Sequence, residues 1–278
     1  MKSGFATLIG RPNVGKSTLL NAILGQKVSI VSNKAQTTRT AVRGVLNAPD
    51  AQVVWVDTPG IHKPRTLLGE RCNSTATATI GDVDVVVAVL DASAEIGRGD
   101  RFVIERLPAS AICALTKTDG IPKAQVVAQL AAAGALDLDE YFPVSGRTGA
   151  GVDALVAAVI ERLPEGPQLY PDDMITDVSE AFWVAELVRE QLLAVMREEV
   201  PHSIACRVTE WDWPHIRCEI LVERDSQKGI VIGKGGVILK EVGTRVREQL
   251  APGAFLELFV RVDKDWQHRP KALERLGY

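Results

Sequence analysis

Apolar residues recur in two alternating ways over the first 163 positions. Short, nearly continuous apolar runs lie at Phe5–Ile9, Val53–Val56, Val83–Leu90, Ala111–Leu115 and Tyr141–Val144. Between them, as at Ser17–Leu24, Lys123–Ala133 and Val152–Arg162, apolar positions return every three or four residues. The first pattern predicts strands buried on both faces and the second predicts amphipathic helices. Their alternation predicts an α/β domain whose mostly parallel sheet is covered by helices. In such sheets ligands sit at the carboxyl ends of the strands.

The pattern then breaks. Pro164, Gly166, Pro167 and Pro171 put three prolines and a glycine into eight positions. They stop the preceding helix and predict an exposed, stiff connection. The expected organisation is a first domain over 1–163, a linker over 164–174 and a second domain over 175–278. Beyond the linker, Val178, Phe182, Ala185, Val188, Leu192 and Val195 mark one long amphipathic helix. Strands are predicted at Ser203–Glu210 and Ile216–Glu223, helices at Ser226–Ile232 and Gly236–Leu250, and a third strand at Phe255–Val262. The order αββααβ makes a small α+β domain.

Composition agrees with two folded domains. Of 278 residues, 46% are apolar and 24% charged, which excludes wholesale disorder and allows a sizeable core. No apolar run approaches the ~20 residues of a membrane-crossing helix. Gly4 and Phe5 follow the start without a basic and then apolar leader, so a cytoplasmic protein is expected. Cys72, Cys113, Cys206 and Cys218 form no C-x-x-C pair, so buried free thiols are expected rather than disulfides or zinc. Charge is uneven. Residues 224–247 carry Arg224, Lys228, Lys234, Lys240, Arg245 and Arg247 against Asp225 and Glu241, in an otherwise acidic second half. That is a candidate anion-facing patch.

Gly10-Arg11-Pro12-Asn13-Val14-Gly15-Lys16-Ser17 fits G-x-x-x-x-G-K-[ST] between a strand and a helix. Its glycines let backbone N–H groups turn toward phosphate oxygens. Lys16 suits β- and γ-phosphate charge, and the Ser17 hydroxyl suits Mg²⁺. Asp57-Thr58-Pro59-Gly60 follows the strand ending at Val56 and places a carboxylate beside the phosphate loop. The polar stretch Lys34 to Arg39 is positioned to offer a threonine hydroxyl to the same metal, as an order–disorder switch would. Thr116-Lys117-Thr118-Asp119 follows another apolar strand. An aspartate there accepts from the N1–H and 2-amino groups of guanine, a donor pair that adenine lacks. Ser145-Gly146 stands where a backbone N–H can reach guanine O6.

With these motifs in order, the chain resembles the Era-type bacterial GTPases, a translation-factor-class GTPase domain followed by a KH domain of type II. The resemblance covers essentially the whole chain. It implies GTP/GDP and Mg²⁺ as ligands, with Ser17, Thr38 and Asp57 at the metal and Asn13, Lys16 and Thr38 in hydrolysis. It also implies K⁺ at Asn13, as in related GTPases that use potassium in place of an arginine finger. Two departures from the family's pattern stand out: its usual Ser-Ala-Lys is Ser145-Gly146-Arg147 here, which keeps the backbone donor, and its base motif differs in the first residue. The family's base motif begins with Asn where this chain has Thr116. Ile61 stands where Ras-type enzymes carry a water-positioning glutamine, and it has no hydrogen-bonding group.

In the second domain, Gly233-Lys234-Gly235-Gly236 is a G-x-x-G between two helices, the loop with which KH domains clamp about four nucleotides. The implied RNA is the 3′ end of small-subunit ribosomal RNA, and the implied process is assembly of the small ribosomal subunit. A monomer is expected. Peripheral association with the inner face of the cell membrane is implied by resemblance alone, since no amphipathic basic anchor is visible. Trp211 and Trp213 are expected to pack in a turn rather than stack bases. Two rival readings remain: an RNA-binding module whose nucleotide site senses without useful turnover, and an ATP-using phosphotransferase, against which Asp119 argues.

Overall fold

The computed structural model describes residues 1–34, 36–196 and 200–278. It forms two compact units: Met1–Val31, Thr38–Pro64 and Gly69–Asp177 in the first, Ser32–Thr37, Arg65–Leu68 and Val178–Tyr278 in the second.

The first unit is built on a six-stranded sheet of order β2-β3-β1-β4-β5-β6. Its strands are β1 (Lys2–Ile9), β2 (Val42–Ala48), β3 (Ala51–Asp57), β4 (Val85–Asp91), β5 (Ile112–Thr116) and β6 (Tyr141–Pro143). All pairings are parallel except β2 with β3. Helices α1 (Lys16–Leu24), α2 (Leu67–Gly81), α3 (Arg98–Ile104), α4 (Lys123–Gly134) and α5 (Val152–Arg162) connect the strands. Leu8, Val53, Val87 and Ile112 of the central strands are fully buried with Leu19 of α1 and Leu155 of α5. These strands read as continuous apolar runs because both faces are covered.

β2 was not foreseen. It is an antiparallel edge strand whose Arg43, Gly44 and Asn47 hide the apolar pattern. The connection after α5 is also more tightly held than a free linker, and the first unit continues to Asp177. Ser3 N–H donates to the Pro164 carbonyl at 3.0 Å and Val45 N–H to Ile175 at 2.8 Å. The Gln52 amide both accepts from the Leu169 and Tyr170 N–H groups and donates to the Tyr170 carbonyl. Polar groups of the sheet edge are thereby satisfied by the strap beside them.

The second unit has α6 (Glu180–Val195), β7 (Ala205–Asp212), β8 (His215–Val222), α7 (Asp225–Ile232), α8 (Val237–Arg247), β9 (Phe255–Val262) and a short α9 (Pro270–Arg275). The sheet order is β7-β8-β9, antiparallel then parallel. Val184, Leu187, Val188 and Leu192 of α6 share one core with Ile220 of β8, Val231 of α7 and Val242 of α8. All four cysteines are buried thiols. No helix among the described residues is long and apolar enough to cross a membrane.

Candidate functional site

The turn from β1 to α1 is shaped by positive backbone angles, with φ of 64° at Asn13 and 100° at Gly15. Gly15 is the N-cap of α1 and makes no side-chain cap, so the first-turn N–H groups are left for an anion. Val14 packs into the core below. Gly60 approaches from the end of β3: a Cβ there would lie 2.5 Å from the Pro12 backbone nitrogen. Lys16 is buried and its Nζ donates to the carbonyls of Gly10 and Arg11, at 3.2 and 2.9 Å. Burial lowers its pKa to about 8, against the raising pull of Asp57. Arg11 pairs with Asp100 of α3 at 2.9 Å.

Asp57, at the tip of β3, is fully buried. Its Oδ2 accepts from Ser17 Oγ at 2.7 Å, Ser29 Oγ at 2.8 Å and Thr38 Oγ1 at 3.3 Å. The hydroxyls of Ser17 and Thr38 are 3.0 Å apart. Asp57 Oδ1 is buried with no hydrogen-bond partner among the described residues. Burial pushes this carboxyl above the usual range, opposed by Lys16 and the three hydroxyl bonds. Two hydroxyls and a carboxylate with an unused oxygen make an all-oxygen donor set, the chemistry of a hard divalent cation. Ser29 escaped sequence reasoning, because nothing in its spacing marks it. Asn21 of α1 fixes it, accepting from the N–H groups of Val28 and Ser29 and donating to the Ser29 carbonyl.

Thr58 donates to the Leu8 carbonyl at 3.0 Å, and Pro59 and Gly60 follow. Ile61 is buried among Ile9, Val86 and Val103, so its side chain takes no part in orienting water. In the stretch Lys34 to Arg39, Ala35 lies outside the described residues. Thr37 Oγ1 donates to the Lys34 carbonyl at 2.7 Å, and Thr38 and Arg39 are buried.

On the base side, Thr116 is buried beneath the phosphate loop. Its hydroxyl lies within hydrogen-bond reach of the Val14 and Leu90 carbonyls. Lys117 Nζ donates to the Asn13 carbonyl at 2.7 Å and to Asp91 at 2.5 Å, so it ties the two loops together. Asp91, at the tip of β4, is a second partner that the sequence motifs did not flag. Thr118 Oγ1 donates to the Val144 carbonyl at 2.9 Å. Asp119 Oδ1 accepts from Ser145 Oγ at 2.7 Å, and Arg147 Nε lies 3.4 Å from Oδ2. The Ser145 bond, with help from Arg147, holds the Asp119 carboxyl below the usual range, so it stands ionised as an acceptor. Gly146 packs against α1, where a Cβ would meet the Thr18 and Leu19 backbone at 3.0 Å.

In the second unit, α7 ends in Gly233, with φ of 73°. Lys234 and Gly235 are exposed. Gly236 is the uncapped N-cap of α8, again leaving backbone donors for an anion. Ile230 and Val237 flank the loop with apolar surface, 50% and 57% exposed. The two tryptophans are not packed as expected. Trp211 is 38% exposed, among the four exposed last residues of β7, and Trp213, in the turn after it, is 50% exposed.

The fold and the two loops define a P-loop GTPase joined in one chain to a KH domain. A family model described as 50S ribosome-binding GTPase matches residues 5–117, and a KH domain model matches residues 199–267. GTPase Era of Mycobacterium tuberculosis (strain ATCC 25618 / H37Rv) is 47% identical over 99% of this chain and 98% of its own length. GTPase Era of Mycobacterium avium (strain 104) is 46% identical over 100% and 99%. A crystal structure of an Aquifex aeolicus Era variant bound to GDP and aluminium fluoride superposes with a TM-score of 0.95 at 39% identity, covering 100% of this chain and 99% of that one. A structure of Era with MgGDPNP and nucleotides 1506–1542 of 16S ribosomal RNA matches with the same score, identity and coverage. The chain belongs to the Era family of GTPases, enzymes that hydrolyse GTP.

Proposed function

We propose that this GTPase binds the 3′ end of small-subunit ribosomal RNA through its KH domain and acts in assembly of the small ribosomal subunit. The relative solved with 16S nucleotides 1506–1542 supports the choice of RNA. The observation that carries the switch mechanism is the convergence of the Ser17 and Thr38 hydroxyls on Asp57. Ser17 and Thr38, with Asp57 behind them, would hold Mg²⁺, which supplies charge neutralisation at the β- and γ-phosphate oxygens. Residues 10–17 and Lys16 cradle and neutralise the phosphates. Thr58 to Ile61 carry the backbone that follows the γ-phosphate. Asp119 reads guanine, with Thr116, Lys117, Thr118, Ser145 and Gly146 shaping its pocket. Gly233, Lys234, Gly235 and Gly236 clamp the RNA backbone.

Ile61 is buried in the core and does not position water, and negative charge still has to be offset where the β–γ bridge breaks. Arg11 is paired with Asp100, which favours a K⁺ ion at the Asn13 amide oxygen over Arg11 in cis; Arg39 in cis is the other alternative, under which Arg39→Ala would abolish turnover and potassium would not matter. We divide the chain functionally into a GTPase domain over 1–163, a linker over 164–174 and a KH domain over 175–278. Monomeric state and peripheral membrane association rest on resemblance, and are tested by light scattering and by flotation with anionic vesicles. The whole reading is tested by GTP turnover with and without the RNA 3′ segment. Turnover indistinguishable from buffer in both would favour the nucleotide-sensing RNA-binding module.

A further inference from the structure

Arg189 of α6 is fully buried, and Glu186 one turn before it is nearly so. Arg189 Nε donates to Glu186 Oε1 at 2.7 Å and Nη2 donates to Glu186 Oε2 at 2.5 Å. The same Nη2 also donates to the backbone carbonyl of Thr37. Thr37 belongs to the segment 32–37 that folds within this second unit. An Nη2 group carries two protons. One serves the carboxylate fork and the other serves Thr37.

That geometry has an energetic consequence. If the Thr37 carbonyl withdrew, an N–H of a buried guanidinium would lose its acceptor, and an unsatisfied buried donor is costly. The next residue is Thr38, whose hydroxyl lies 3.0 Å from Ser17 Oγ and 3.3 Å from Asp57 Oδ2. One peptide bond therefore joins a carbonyl held by Arg189 to a side chain at the proposed metal set.

We propose that Arg189 is a positioning residue for GTP hydrolysis, fixing the Thr37 carbonyl and through it the Thr38 hydroxyl. This rests on the assignment of Ser17, Thr38 and Asp57 as the metal-holding set. Glu186 holds the guanidinium in plane so that its remaining Nη2 proton points at Thr37. Lysine cannot replace it, because one ammonium lacks the fork that satisfies the carboxylate and the carbonyl together.

The test uses the full chain. Arg189→Lys keeps the charge. The double variant Glu186→Leu with Arg189→Met removes the buried pair without stranding either charge, a change that folds tolerate. Both are expected to lower kcat about tenfold, on the order of 1.4 kcal/mol, with GDP affinity changed less than about twofold. Hydrogen exchange of the amides over residues 36–41 should rise in both. Thr38→Ala separates the two assignments. If it leaves turnover intact, the metal-set reading fails. If it abolishes turnover while a folded double variant, judged by its urea midpoint, keeps wild-type kcat and exchange protection, the role of Arg189 is overturned. Should the double variant fail to fold, wild-type kcat and protection in Arg189→Lys would overturn it equally.

Discussion

The Thr116 hydroxyl joins the base loop to the phosphate loop by lying against the Val14 carbonyl. It sits 2.9 Å from the Leu90 carbonyl as well. A hydroxyl has one proton, so it can donate to only one of these acceptors at a time. An asparagine amide at this position has two. Thr116→Asn should therefore tighten guanine nucleotide binding or leave it unchanged. Thr116→Val should weaken it about tenfold, since the one donor that these two buried carbonyls share is lost. Titration calorimetry with GDP decides. Equal affinity for Thr116→Val would show that the loop contact is dispensable.

Asp119 is aimed by Ser145 and Arg147 and is held ionised. Asp119→Asn should move preference from guanine to xanthine, whose 2-oxo group accepts where guanine's amino group donates. Competition between GDP and xanthosine diphosphate reads the change. An unaltered preference for guanine would remove Asp119 from base selection.

The loop over residues 233–236, proposed to clamp RNA, calls for a substitution free of backbone strain. At Gly233 a Cβ would lie 2.7 Å from Ile238 Cγ1, at a φ of 73°, so Gly233→Asp would distort the loop as well as add charge. Lys234 is exposed, and Lys234→Glu reverses charge alone. RNA affinity should fall 10-fold or more, with a shallower salt dependence. GTP affinity should not move. Filter binding at two salt concentrations provides the check.

Asn13 stands at φ 64°, where alanine would be strained. Asn13→Gly removes the amide and keeps the turn. Turnover should rise when sodium is replaced by potassium at constant ionic strength, and Asn13→Gly should lose that rise while still binding nucleotide. Equal rates in both salts for the unmodified protein would end the potassium assignment.

Burial pushes the thiols of Cys113 and Cys218 up to about 12 from 9.0. The folded chain thus keeps protons that the unfolded chain releases, so their stabilisation is complete below pH 9 and is lost as pH rises toward 12. Urea midpoints should fall between pH 9 and 10.5, and less steeply in the Cys113→Ala, Cys218→Ala variant. Identical slopes would contradict this.

Where the signal is local, the sequence and the structure agree. Helix α5 at Val152–Arg162 and strand β9 at Phe255–Val262 lie where the pattern puts them. The phosphate loop is contiguous, so its residues could be read together. β2 was hidden because Gly44 reads as a breaker, yet it is there for packing: a Cβ would lie 2.2 Å from Leu24 Cδ1. Ser29, Asp91 and Arg189 were invisible for another reason. Their partners Asp57, Lys117 and Thr37 are 28, 26 and 152 residues away, and only the fold brings them together.

The proposed function is a KH clamp on the 3′ end of small-subunit ribosomal RNA, carried by a GTPase. The most direct measurement is crosslinking in the presence of a non-hydrolysable GTP analogue, followed by sequencing of the bound RNA, with Lys234→Glu alongside. Reads should concentrate at that 3′ end and be depleted in the variant. Reads spread evenly over ribosomal RNA, or unchanged by Lys234→Glu, would contradict it.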